Sequence, residues 1–552
     1  MARPRRVPAG ARIAGAATLI AVLTVLARLA GFGRTMVFAW AVGDNDLGDI
    51  YLAANLIPNI IFEIVAGGAL ASLVVPLLAA AAAAGDSAEV GRTASALLCW
   101  TLALLVPLAG LVALAAGPVV AALAGDASAA EVQAGTQLLR IFAPQLPLYG
   151  IGIVLTGVLH AHRRFAWPVL APLLSSLTVA AAYALFVVVD GRGTPVAEVS
   201  PAGLLVLGAG TTLGVVVLAG CLVPPVWRLG IRPRLGFRFA PGVRSRIGGL
   251  AGAGASTLAA QHLALLVVLW RGLSGPEGSW VLFTLAQTIF LLPWAVLAVP
   301  VATAAYPSLA DSAATGRADH YAATLASTSR AIMLLTLLGS AALTALADPV
   351  ATLLAHLMPT ADLASADRLA AGIAGFAPGL IGYGLFAVLS RALYARGDTG
   401  RAALAAVAGW AAVAAAAVAL AALLPASDRV VALTVANSIG MTVLGGALLA
   451  GVAAGAGRVA LAGLLRAGIV GLIAAGLATA AGRGVVEWIR WSEPPAVGSV
   501  VGSGMLAGVA VGAVFGVVAW ALDRRDVRPL VAAVASRVAR RPRHRRPSTG
   551  SG

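Results

Sequence analysis

The chain has 552 residues, of which 60% are hydrophobic and only 11% charged, against about 25% charged in soluble domains. Mean hydropathy is +0.94 and the net charge is +16. So few charges cannot cover a soluble body of this size, and disordered, collagen-like and disulfide-stapled chains are excluded with it. The chain reads as an all-α polytopic membrane protein. At roughly 35–40 residues per span and loop, it has room for about 14 spans and little else. All 38 basic residues are Arg, so the phosphate loop that ends in Gly-Lys-Ser/Thr is absent and no nucleotide-driven step by that route is expected. Neither catalytic residues, a cofactor nor a metal site is expected.

The N-terminal stretch 1–12 is Arg-rich and opens an apolar run that continues to Trp40. That run is too long for a signal-peptide core and is read as a retained first span. Apolar segments then follow at 13–42, 50–82, 93–117, 133–159, 168–189, 202–223, 248–270, 280–306, 330–355, 371–394, 402–424, 430–454, 459–481 and 498–522. With the N-terminus inside, 29 Arg fall on the cytoplasmic side and six outside, namely Arg192, Arg271, Arg368, Arg429, Arg483 and Arg490. This asymmetry puts both termini in the cytoplasm. LASLVVPLLA at 70–79 resembles VATAAYPSLA at 301–310, and LHAHRR at 159–164 parallels LYARGD at 393–398. Two similar offsets in one order predict two parallel six-span repeats. The expected organisation is a lobe over 13–228, a basic cytoplasmic linker over 229–247, a second lobe over 248–455, two further spans over 456–523 and a disordered Arg-rich tail over 524–552. Cys99 and Cys221 lie inside apolar runs and read as small packing residues.

Charges within the bilayer are expensive and mark function. Arg28 and Arg34 fall in the first span, with Gly31 and Gly33 between them inviting a bend. Asp49 marks the outer start of the second span, Glu63 lies near its mid-depth, and Arg140 sits about two turns into the fourth. One reading is a buried Arg28–Glu63 ion pair that fixes packing. The other is a hydrated cationic cavity for an anionic headgroup, since Arg meets phosphate with a two-pronged fork; Glu63 would then be free to carry protons. Pro58, Pro76, Pro144, Pro147, Pro293 and Pro300 interrupt the expected spans as curvature or as hinges. His160, His162, Arg163 and Arg164 read as a headgroup-facing anchor, and His262 as a satisfied core histidine. The tail RPRHRRPSTGSG suits anionic lipid, and no nucleic-acid partner is expected.

ARLAGFGRTMVFAWAVG at 27–43 and DIYLAANLIPNIIFEIVAGGALASLVVPLLA at 49–79 resemble the start of the MurJ/MviN family of lipid II flippases. That family sits in the superfamily of multidrug and polysaccharide exporters. GVLHAHRRFAWPVLAPLL at 157–174, LPWAVLAVPVATAAYPSLA at 292–310 and ALYARGDTG at 392–400 extend the resemblance in the family's order. It implies fourteen helices, twin lobes with a cationic cavity for the headgroup, and alternating access that moves undecaprenyl-diphosphate-linked peptidoglycan precursor to the outer leaflet of the bacterial plasma membrane. It also implies a groove for the lipid tail at the last two helices. Arg28, Arg34 and Asp49 stand at the family's functional Arg, Arg and Asp, and Arg140 at a basic position of the fourth span. Phe62 and Glu63 replace two adjacent arginines, Ala66-Gly67-Gly68 replaces Ala-Glu-Gly, and Gln287 and Thr288 replace an Asp-Arg pair. Spans 7, 11 and 12 hold no carboxylate for the sodium site of some members. These departures point to another polyprenyl-linked glycan, or to a non-transporting scaffold for wall synthesis proteins, as competing readings.

Overall fold

The computed structural model describes residues 9–64, 78, 82–125, 127–232, 236–237, 252–489 and 496–524. Among these the regular structure is helical, with no strand. In chain order the helices are α1 (Ala9–Ala41), α2 (Asp46–Phe62), α3 (Ser87–Leu114), α4 (Ala116–Ala124), α5 (Ala129–Phe142), α6 (Gln145–Ala161), α7 (Ala166–Asp190), α8 (Pro201–Gly220), α9 (Val223–Trp227) and α10 (Gly252–Leu273). They continue with α11 (Ser279–Pro293), α12 (Val299–Ala314), α13 (Ala318–Ala345), α14 (Ala347–Leu357), α15 (Leu363–Phe376), α16 (Gly379–Ala395), α17 (Thr399–Leu423), α18 (Arg429–Ala456), α19 (Leu464–Trp488) and α20 (Val497–Leu522). Pro76, the Arg-rich segment 1–8, most of the basic linker and the tail from residue 525 lie outside the described residues.

Twelve described stretches are long and apolar enough to cross a membrane, and α15 with α16 makes a thirteenth, bent by 42°. They match thirteen of the fourteen expected segments one for one. The remaining segment begins in the 17-residue α2 and runs on into residues outside the description. Starts are set by local capping: Ser128 and Glu131 form a reciprocal capping box at α5, and Ser200 caps α8 with Pro201 in its first turn. Such side chains satisfy amides that have no partner within the helix.

The interruptions recur at matching places in the two sequence repeats. Phe142-Ala143-Pro144 separates α5 from α6, and Phe376-Ala377-Pro378 separates α15 from α16. In both, the amide two residues beyond the proline returns to the alanine carbonyl at 3.2 Å (Leu146 to Ala143, Leu380 to Ala377). Proline has no amide to donate, so the helical ladder breaks there. α2 passes into a π-helical turn at Glu63–Ile64, and α11 into a π-helical stretch at Trp294–Ala298. A π turn inserts a residue and re-aims the side chains after it. The first span shows no such break: α1 is helical straight through Gly31 and Gly33.

Packing divides the chain into two compact units. One gathers residues 1–289, 350–376 and 403–440; the other gathers 290–349, 377–402 and 441–552. In the first, Val154, Leu155, Val158 and Leu159 of α6 pack with Val90, Ala94 and Leu97 of α3 in one buried cluster. In the second, Ala474 and Ala478 of α19 and Val511 and Phe515 of α20 pack on Leu334, Leu337 and Ala341 of α13. Arg466 and the buried Asp523 pair across the open end of that hairpin. α16 and α18 approach backbone to backbone: a methyl on Gly382 would stand 2.0 Å from the Met441 carbonyl oxygen. Small residues at such crossings are what allow membrane helices to touch.

Candidate functional site

The first unit carries all five charged residues singled out in the sequence, and it distributes them over different tasks. Asp49, in the first turn of α2, is buried. Its Oδ1 accepts the Val281 amide at 2.8 Å, with the amides of Gly278 and Trp280 close to the same carboxylate. These are the free donors at the start of α11, where the helix dipole favours a negative charge. Around this cap the connecting loops interlock. Thr360 Oγ1 donates to Asp44 Oδ1 at 2.8 Å, and Asn45 Nδ2 donates to the Gly193 and Thr194 carbonyls at 3.2 Å. Arg192 donates to the Leu357 carbonyl at 2.7 Å and the Trp40 carbonyl at 3.0 Å, with its guanidinium over the Trp40 ring. Arg429 likewise donates to the Ala421 carbonyl at 2.9 Å. Asp362 caps α15 by accepting the Ser365 amide at 2.7 Å, and that hydrogen bond holds its carboxyl below the ordinary carboxylate range.

Arg34 is half-buried on α1. Its charge reaches the hydroxyls of Tyr51, Tyr149 and Tyr183. Tyr51 and Tyr183 share a hydrogen bond of 3.0 Å, and Tyr51 also bonds Thr211. Phe38 stacks on Tyr51 with centroids 5.3 Å apart. Phe62 packs on Tyr149 at 4.8 Å, and Glu63 beside it also acts on the Tyr149 hydroxyl. The π turn at the end of α2 brings Glu63 to α10, where Glu63 Oε2 meets His262 Nε2 at 2.7 Å. Glu63 therefore pairs with His262, not with Arg28. Phe62 and Tyr149 also line a cavity of about 440 Å³ whose walls include Thr156, His160, Pro168 and Pro172.

Arg28 and Arg140 do not join this cluster. Six residues of α helix separate Arg28 from Arg34, which turns them about 120° apart. Arg28 is exposed, with no hydrogen-bond or ion-pair partner among the described residues. Arg140 is exposed on α5, and its Nε donates to the Ala113 carbonyl at 3.4 Å. Thr288, at the position of a family arginine, turns its hydroxyl back to the Thr284 carbonyl. Tyr149 and His262 are the members the sequence does not reveal: each is a lone polar residue in an apolar run, and its partner lies on a distant segment. His160 lines the cavity, while His162 bonds the Val158 carbonyl and Arg163 ends the helix with φ of 57°.

A family model described as lipid II flippase MurJ matches residues 38–496. The chain is 27% identical over 395 residues to the lipid II flippase MurJ of Burkholderia cenocepacia, covering 68% of this chain and 72% of that protein. It is 27% identical over 385 residues to a probable lipid II flippase MurJ of Rhizobium tropici, covering 68% and 69% respectively. Among solved structures, a lipid II flippase MurJ in an inward closed conformation aligns with a TM-score of 0.70 at 16% identity, over 93% of this chain and 100% of that one. An inward-facing MATE family multidrug transporter of the MOP superfamily aligns with a TM-score of 0.59 at 16% identity, over 83% and 94%. At such identities the structural likeness establishes the fold, and the family rests on the sequence match. That match runs through most of the chain, and the chain belongs to the lipid II flippase MurJ family.

Proposed function

We propose that this protein is a flippase that moves lipid II from the cytoplasmic to the outer leaflet for cell-wall synthesis, a transporter and not an enzyme. The observation that carries this is the family match over residues 38–496. Arg34 is the anchor for the diphosphate: it is half-buried, its charge reaches tyrosine hydroxyls, and no carboxylate among the described residues bonds it. Arg28, exposed on another face of α1, meets the same group from the approach side, and Arg140 adds positive potential further along. Asp49 is a positioning residue that holds α2 to α11. The protein works by alternating access between lobes at 13–228 and 248–455, with residues 456–523 beside them for the lipid tail. It lies in the plasma membrane of a bacterium with both termini cytoplasmic, and the Arg-rich tail holds anionic lipid or wall-synthesis proteins.

The test is complementation of a bacterium depleted of its own lipid II flippase, with membrane expression confirmed by immunoblot. Growth is expected, and loss of growth despite good expression overturns the assignment. Arg34→Ala and Arg28→Ala should each cut flipping on the order of ten- to hundredfold, the scale of a lost charge-assisted hydrogen bond, while insertion is retained. Full activity of both variants sinks the site. A second cargo, another polyprenyl-linked glycan, is favoured by one feature. Phe62, packed on Tyr149, and Glu63, held by His262, leave the cavity less cationic than two arginines there would. Flipping of such a glycan with no flipping of lipid II would select that reading. Reporter fusions at both termini test the orientation: activity of a cytoplasm-only reporter is expected at each end.

A further inference from the structure

His262 presents both ring nitrogens to oxygen atoms. Nδ1 lies 2.7 Å from the Leu258 carbonyl oxygen, and Nε2 lies 2.7 Å from Glu63 Oε2. A carbonyl oxygen and an ionised carboxylate only accept, and a neutral imidazole has a single N–H. With a neutral ring and an ionised carboxylate, one of the two contacts sets lone pair against lone pair. The arrangement is satisfied only when one further proton sits between Nε2 and Oε2. If that proton leaves, the 2.7 Å contact becomes repulsive and the two side chains must part.

We propose that Glu63 and His262 form a proton-binding site that joins α2 to α10, and that lipid movement is coupled to the loading and release of this proton. The inference rests on the flippase reading and names its coupling ion. The His262 side chain is only 4% exposed, while that of Glu63 is 54% exposed, so a proton enters and leaves through the carboxylate. α2 belongs to the first sequence repeat and α10 opens the second, so parting the pair moves an element of one repeat against an element of the other. From neighbouring helices, Arg34 of α1 and Glu63 both act on the Tyr149 hydroxyl of α6, and α6 also carries His160 on the cavity wall that Phe62 and Tyr149 share. α4, which packs on α10, has no titratable residue. α5, which packs on α2, uses Glu131 at its own cap and Arg140 at the Ala113 carbonyl. Elsewhere on the two helices themselves, Asp46 accepts the Leu47 and Val196 amides, Asp49 is engaged at α11, Tyr51 bonds Tyr183 and Thr211, and Arg271 lies over Trp270.

Charge explains how the two ligands cooperate. The loaded pair is neutral; the unloaded pair carries one negative charge in the neighbourhood of Arg34. A diphosphate at Arg34 is therefore bound better when the proton is in place, and by linkage diphosphate binding draws the proton in.

The test uses the full chain in phosphatidylethanolamine–phosphatidylglycerol vesicles, with the membrane potential held at zero by valinomycin and equal potassium. Flipping of fluorescent lipid II is read under pH gradients of either sign. A gradient of one pH unit is expected to bias the leaflet ratio about tenfold per proton coupled. Glu63→Gln should insert normally and lose the response, because the amide donates to Nε2 of a neutral ring and keeps the contact without an added proton. His262→Gln should lose it too. Wild-type flipping that ignores the gradient, or a Glu63→Gln response equal to wild type, overturns the proposal. A wild type that moves no lipid II at all overturns the flippase reading instead. In that case ¹⁵N solid-state spectra of the histidines in the same vesicles decide the proton site, with His262→Gln identifying the resonance. A Nε2 that gains and loses its proton between about pH 5 and 9 supports the site, and a resonance unchanged over that range overturns it.

Discussion

A few side chains with fixed hydrogen-bond requirements set the character of this molecule. Asp49 satisfies amides at the start of α11, so Asp49→Ala should lower stability by about 1 kcal/mol, the usual cost of a lost cap. The readout is the melting temperature in detergent, and Asp49→Asn should fall between the two. Asp362 gives a pH dependence of known sign. Its folded carboxyl titrates below its unfolded value, so its stabilisation is complete above about pH 3.9 and disappears as the pH falls through the folded value. The melting temperatures of wild type and Asp362→Ala should therefore differ at neutral pH and converge in acid. At this scale the sequence is half legible. Arg28, Arg34, Asp49, Arg140 and Glu63 stand out because a charge in an apolar run is costly. His262 and Tyr149 do not, because their meaning comes from what stands opposite them. Composition places Glu63 at a depth but cannot choose its partner between Arg28 and His262.

Helices form where hydropathy says they should, and two of their breaks fall at proline, while Pro58, Pro107 and Pro172 lie inside unbroken helices. The expected fourth and tenth segments, 133–159 and 371–394, are each two helices in the structure, parted at Pro144 and Pro378. Hydropathy averages over such a break, because an apolar residue counts the same on either side of it. Pro144 is readable as an interruption. The second break becomes readable only once Phe142-Ala143-Pro144 is set beside Phe376-Ala377-Pro378. The π turns at Glu63 and at Trp294 have no sequence signal beyond the neighbouring Pro293 in the second. The close crossing of α16 and α18 makes a sharp prediction. Gly382→Ala places a methyl against the Met441 carbonyl, and such overpacking costs about 1–3 kcal/mol. The expected result is a lower melting temperature and less monodisperse protein on size exclusion. Gly446→Ala, which meets open space, serves as the neutral control.

On the scale of the whole molecule, the class of fold follows from composition alone, while the way packing groups the helices does not. The sequence repeat suggests lobes that follow chain order; one compact unit joins residues 1–289 with 350–376 and 403–440 from later in the chain, and the other is drawn wholly from residues after 289. A helix can touch any neighbour its faces allow, and an evenly apolar helix does not announce which. In the second unit, the Arg466–Asp523 pair ties the two ends of the α19–α20 hairpin. Arg466→Ala leaves a buried carboxylate without its cation and should destabilise the unit by about 1–3 kcal/mol, reduced from the fully buried case because the arginine is half exposed. Melting temperature is again the measure.

The Asp49 cap also puts a clock on biosynthesis. Its acceptor and donor are 232 residues apart in the chain. At about 5–20 residues per second, α2 leaves the ribosome on the order of 10–50 s before the amide of Val281 exists. Through that interval the carboxylate needs water, so this end of α2 stays wet until α11 arrives. Nascent chains of Asp49→Cys arrested short of residue 281 should accordingly react with a water-soluble maleimide, and chains long enough to include α11 should be shielded. The sealing of the Asp49 carboxylate is thus set by the arrival of the eleventh helix, long after the second has been made.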